Sequence, residues 1–281
     1  GVSTILQRFL TFLLTPLYSN VMTPSQVGDV ASLYAVIAMV NIAYSLGMEP
    51  AFMRFFDKAD VVASNRAFGV AMRTVTVLGL GITLCTVLGA PWVATSPLLQ
   101  LGDGGASIVA IAAFIPLADA LVLMPFARLR MQQRPKQFAL LRLLAVVINV
   151  ALNAVFLLVF NMGVAGVVWA GLLSSAGIAI VFLPQILRGL RERFDRTLFR
   201  DMVRFGLPTV PSSISGMLIQ VADKPIVLML LGRTAVGLYQ TNFRLALPMM
   251  MLVTVFEYAW RPFYLNHRDD ADAPQLFARV M

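Results

Sequence analysis

The chain has 281 residues, of which 59% are hydrophobic and 13% charged, with 1 cysteine and a formal net charge of +8. A soluble domain would carry about 25% charged residues, so an ordinary water-soluble globular fold is excluded. Cys85, alone in the chain, excludes an internal disulfide framework.

Eight apolar stretches of roughly membrane-spanning length follow one another, near 2–22, 27–49, 68–90, 106–127, 139–160, 164–186, 207–231 and 236–260. This predicts an all-α, polytopic membrane bundle of about eight helices. The first span carries Arg8 about two turns in. The second closes on Glu49, followed by a loop with Arg54, Lys58 and Arg66. Arg73 sits near the start of the third span, where a long side chain can snorkel to the interface. Asp119 falls near the middle of the fourth, too short to snorkel. An ionised carboxylate at that depth must be paired or wet, so Asp119 is protonated, paired with a base, hydrogen-bonded to a neighbouring helix, or a carrier of an ion.

The next loop is basic, with Arg128, Arg130, Arg134, Lys136 and Arg142. Asn149 and Asn153 then share one face of the fifth span. After the sixth span comes a segment with Arg188, Arg191, Arg193, Arg196, Arg200 and Arg204, part of which can form an amphipathic helix on the membrane surface. Late in the seventh span stand Asp223 and Lys224, whose side chains diverge by about 100° on a regular helix. The eighth span carries Arg244 near its start and Glu257 near its end.

The basic residues fall on alternate connections. Together with the residues after 260, one set of connections holds 17 Lys and Arg; the other set holds Arg233 alone. The positive-inside rule then places the first set, and the N-terminus, in the cytoplasm. Cytoplasmic loops facing anionic headgroups account for the net charge, and no aromatic–basic stripe calls for nucleic acid.

An internal repeat is also legible. Thr15–Pro16 matches Lys224–Pro225, and Val27–Gly28 matches Val236–Gly237, each 209 positions apart (225 − 16 and 237 − 28). Six spans therefore make one repeat, in parallel orientation, which is a transporter architecture. Residues 1–186 form the first six-helix lobe, 187–206 a basic linker, and 207–281 the opening of a second lobe. The chain is expected to be part of a longer protein.

Several motifs carry a resemblance. They are Pro16–Leu17–Tyr18, Met22–Thr23–Pro24, Leu46–Gly47 with Arg54–Phe55–Phe56, and Leu129–Arg130 with Arg134–Pro135. Further along come Gly163–Val164–Ala165–Gly166, Gly206–Leu207–Pro208, Asp223–Lys224, Val236–Gly237–Leu238–Tyr239 and Ala259–Trp260–Arg261–Pro262–Phe263. In this order and spacing the chain resembles bacterial polysaccharide flippases. These are the Wzx-type members of the multidrug/oligosaccharidyl-lipid/polysaccharide exporter superfamily.

The resemblance implies a MATE-like fold of two lobes, the second truncated here. It implies movement of an undecaprenyl-diphosphate-linked oligosaccharide between leaflets of the inner membrane. The partners it implies are that lipid, the surrounding membrane lipids, and the polymerase and chain-length regulator of the same pathway. No cofactor is expected beyond a coupling ion, H+ or Na+. A diphosphate cargo needs cations, and Arg8, Lys224 and Arg244 are the candidates to line the cavity, with snorkelling the competing reading. Asp119, Asp223, Asn149 and Asn153 are candidates for coupling or for sugar hydroxyls. Glu49 could pair with Arg8 as an inner gate, and Glu257 closes the eighth span at the same level. No metal cluster, nucleophile–base pair or phosphate-cradling glycine loop appears in the sequence, which argues against an enzyme. Two other readings remain: a multidrug cation antiporter of the same superfamily, and a membrane glycosyltransferase or polymerase of the same pathway.

Overall fold

In the computed structural model the chain is described at residues 12, 14–102, 104–246, 249, 253, 256 and 260. Backbone polar groups in a bilayer must pair within their own segment, and helices do this for long apolar runs. Every element among the described residues is accordingly helical. Local signals start the helices. After α1 (Leu14–Val21), Thr23 caps α2 (Pro24–Ser45) in a reciprocal box with Gln26, and Pro24 stands at the first turn. Leu46 and Gly47 adopt left-handed backbone and bend the chain into α3 (Met48–Phe55). Asp60 caps α4 (Val61–Leu88) through Val62 and Ala63, both at 2.9 Å. This cap starts the helix at 61, ahead of the apolar run expected from 68.

Two short helices, α5 (Ala90–Thr95) and α6 (Gly105–Ala112), lead to α7 (Phe114–Met131). The break at Ala113 precedes Pro116, and hydroxyls of Tyr44 and Thr83 reach the Ala113 carbonyl, both at 3.4 Å. α8 (Pro135–Ala154) ends in a π turn, Val155–Val159. α9 (Gly163–Val181) stops at Phe182, so the sixth span is shorter than expected, and Pro184 opens α10 (Leu183–Arg191). Asp195 caps α11 (Arg196–Gly206), whose Met202 is fully buried. α12 (Thr209–Val221) and α13 (Asp223–Leu245) follow.

Among the described residues, six helical runs are long and apolar enough to cross a membrane, against the eight spans expected for the whole chain. Two causes account for the difference. The expected first span lies mostly outside the described residues. The seventh and eighth merge into one run, Thr209–Leu245, but the chain reverses within it. Gly232 takes φ 82° and ψ 177°, a conformation open to glycine. The Asp223 and Tyr239 side chains come within interaction reach of each other across this reversal. In a straight helix they would stand about 24 Å apart.

α2 is the central helix, packed against α7, α9, α12 and α13. At the basic end of the bundle, Tyr44, Phe52, Phe68, Met72, Phe126 and Met202 form the main core. Edge-on aromatic pairs fix it, Phe126–Phe182 at 5.0 Å and Phe126–Phe138 at 5.4 Å. The opposite faces of the helices stay apolar and exposed: Val77, Leu80, Leu84 and Leu88 line one side of α4 while Phe68, Met72 and Val75 are buried on the other. Such a belt fits a multi-pass membrane protein.

Candidate functional site

A string of polar side chains runs through this apolar bundle. It begins on α8, where Asn153 is 1% exposed. Its amide donates to the Asn149 carbonyl at 2.9 Å and side chain at 3.1 Å, and its oxygen accepts from the Tyr18 hydroxyl at 2.8 Å. The expected i, i+4 pair is therefore joined to α1 by one buried hydrogen bond. Across the Tyr18 ring lies Arg244, its guanidinium 5.0 Å from the centroid. Arg244 stands at the end of α13 and Tyr18 on α1, so this contact joins the first and last of these helices. Tyr34 on α2 donates to the Val167 carbonyl at 3.4 Å and stands within electrostatic reach of Tyr18, Arg244 and Asp119. Asp119 accepts from Ser175 at 2.7 Å and stands within interaction reach of Asn41, and the charge of Arg142 reaches it.

Arg142 is a residue that sequence reasoning missed as a site candidate, because it counted with the basic loop. α8 begins at Pro135, seven residues earlier, so Arg142 lies two turns inside the helix. There its guanidinium stacks on Phe126 at 4.5 Å.

The other candidates fall apart from this string. Lys224 is 7% exposed and holds Asp223 at 3.1 Å and the Gln220 carbonyl at 3.3 Å, with the Phe243 ring 5.3 Å away. Asp223 and Lys224 were expected to diverge. They meet because the long Lys224 side chain folds back along the helix, where its ammonium reaches the Gln220 carbonyl as well as the Asp223 carboxylate. Glu49 pairs with Arg130, on α7. Arg8 and Glu257 lie outside the described residues. Arg73 has a fixed partner: its Nε and Nη2 donate to the Leu190 carbonyl at 2.9 and 2.7 Å, tying off the end of α10.

At the end of the bundle away from the basic loops, two glycines bring α2 and α13 into close contact. A Cβ on Gly28 would lie 2.0 Å from the Arg233 carbonyl oxygen, and one on Gly237 would lie 1.8 Å from that of Pro24. Only glycine permits two backbones to approach so closely. Gly28 matches Gly237 at the repeat offset, and Pro24 matches Arg233 at the same offset (233 − 24 = 209). The contact is therefore reciprocal at the offset of the expected repeat. Beside it Arg233 reaches Asp29 on α2 at 3.4 Å. Asp29 was also missed, although an acid inside an apolar helix is the sequence signal for such a role.

Residues 19–281 match the profile of a family described as polysaccharide biosynthesis protein. The chain belongs to that family. Among solved structures it is similar to the MATE multidrug transporter DinF-BH, solved as a complex, at TM-score 0.69 and 17% identity, covering 89% of this chain and 59% of that one. It is similar also to a MATE-family transporter of the MOP superfamily in its inward-facing conformation, at TM-score 0.65 and 19% identity, covering 93% and 64%. The outward-facing conformation of such a transporter gives TM-score 0.63 and 18% identity, covering 89% and 59%. No curated protein sequence matches. The fold is thus MATE-like, and the chain spans about three fifths of the length of these structures.

Proposed function

We propose that this protein of the polysaccharide biosynthesis family is a transporter that carries lipid-linked oligosaccharide units across the cytoplasmic membrane for surface polysaccharide assembly. The observation that carries the reading is the half-buried Arg244, set on Tyr18 where the end of α13 meets α1, in a chain whose family is polysaccharide biosynthesis and whose fold is MATE-like. A diphosphate-bearing lipid needs a guanidinium that stays charged away from water, and Arg meets that requirement better than Lys. The basic end faces the cytoplasm in this reading. The Gly28–Gly237 contact then closes the outer side, and alternating access requires it to part. Asp119, held by Ser175 and within reach of Asn41, is the group to carry a coupling H+ or Na+.

Arg244→Ala in the intact protein tests the site. Surface polysaccharide should be lost while the protein remains in the membrane at its usual level. Normal export by a stably inserted variant would remove Arg244 from the site. The solved structures of similar fold are titled multidrug transporters, and the arms of a drug-sensitivity assay on the same variant separate that reading from this one.

A further inference from the structure

A second cationic site lies away from the repeat contact. At the basic end, a cavity of about 500 Å³ opens between the start of α4, the end of α7 and α10. Arg128, Arg134, Arg188 and Arg191 line it, and Glu192 is the acid among its described lining residues. A neighbouring cavity of about 330 Å³ shares Arg128 and Arg134 and adds Lys58 and Asp57.

The walls are fixed before any ligand arrives. Arg128 donates to the Asn65 side chain at 2.8 Å and stacks 5.0 Å from the centre of the Phe68 ring. Arg73 holds the last turn of α10 through the Leu190 carbonyl. Arg134 and Arg188 stand close enough to Arg128 for their charges to repel it, and Glu192 offsets only one of them. Like charges gathered on a rigid wall cost free energy unless an anion sits among them. Gln185, on the same wall, has a buried side-chain oxygen with no hydrogen-bond partner. That oxygen is an acceptor for a ligand hydroxyl. On the outside of α10, Leu183 and Leu187 are exposed, giving an apolar surface beside the cations.

We propose that this cavity binds a phosphate-bearing anion, its phosphate oxygens held by the forked donors of Arg128, Arg134 and Arg188 and a hydroxyl donating to Gln185. The phosphate comes either from an anionic phospholipid headgroup or from a soluble phosphate compound. The site is independent of the reading given to Arg244, since the two share no residue.

The test uses the intact protein in nanodiscs. One set contains phosphatidylcholine alone, the other phosphatidylcholine with phosphatidylglycerol. Native mass spectrometry counts phosphatidylglycerol retained by the wild type and by Arg188→Gln/Arg191→Gln, chosen because both positions are exposed and neither holds Arg128 in place. Melting in phosphatidylcholine alone confirms that the variant folds as the wild type does. Inorganic pyrophosphate, titrated into the phosphatidylcholine set, probes the soluble source by the shift in melting temperature. Selective retention of phosphatidylglycerol by the wild type, weakened about tenfold or more in the variant, supports a lipid headgroup. A pyrophosphate-dependent rise in melting temperature, lost in the variant, without lipid selectivity, supports a soluble phosphate. Equal phosphatidylglycerol retention and equal pyrophosphate response in wild type and variant overturn the proposal. Should the double variant fail to fold, Gln185→Leu and Arg134→Gln are measured singly, with the same outcomes read.

Discussion

Gly237→Ala is the sharpest perturbation the structure offers. The added methyl would stand 1.8 Å from the Pro24 carbonyl oxygen and 3.1 Å from the Gly28 nitrogen, both backbone atoms that cannot rotate away. Ordinary contact begins near 3.4 Å, so α2 and the second half of α13 must part by roughly 1.6 Å. Overpacking of this kind costs about 1–3 kcal/mol. The cost falls on the sealed arrangement alone if transport requires the contact to open. The ratio of open to sealed protein then rises about 5- to 150-fold. Ser32, one turn beyond Gly28 on α2 and fully buried, supplies the reporter. With Ser32→Cys in a Cys85→Ser background, the rate of labelling by a water-soluble thiol reagent should rise by that factor. Gly28→Ala should do the same, because the contact is reciprocal. Unchanged labelling and unchanged melting in both variants would refute the argument that this contact is a seal.

Further outcomes follow from the buried hydrogen bonds. Asn153→Leu leaves the Tyr18 hydroxyl without its partner, and should cost about 1–3 kcal/mol by melting in detergent. Adding Tyr18→Phe should recover part of that loss; no recovery would mean the bond is not made. Arg73→Met removes two charge-assisted bonds to the Leu190 carbonyl, each worth about 1.5–3 kcal/mol. Hydrogen exchange should then quicken across 183–195 and stay unchanged in α9, and uniform exchange would contradict the tie.

The bundle was readable because its signals are long. Apolar stretches separated by alternately basic connections correspond to the long helices, and the turn expected between the last two spans falls at Gly232. Pairing was harder to read. Nothing in the sequence near Glu49 names Arg130 as its partner, since the two are brought together only when α3 packs on α7. Arg142 counts with the basic connection in the sequence although it stands three residues inside the span expected at 139–160, and the helix start at Pro135 sets it deeper still. Asp223 and Lys224 diverge at Cβ on a helix, but the four-carbon stem of Lys224 is long enough to fold back onto its neighbour, which residue spacing alone does not show. The repeat, by contrast, rested on two matched dipeptides. The reciprocal contacts of Gly28 and Gly237 give those same positions a physical reason to match.

The most direct test is chemical. In cells lacking the gene, lipid-linked sugars are extracted and surface polysaccharide is measured. Transport of lipid-linked oligosaccharide predicts that undecaprenyl-diphosphate carrying complete repeat units accumulates and that the surface polymer is lost. An unchanged lipid pool with new sensitivity to cationic drugs, or a pool of incomplete precursors, would contradict it.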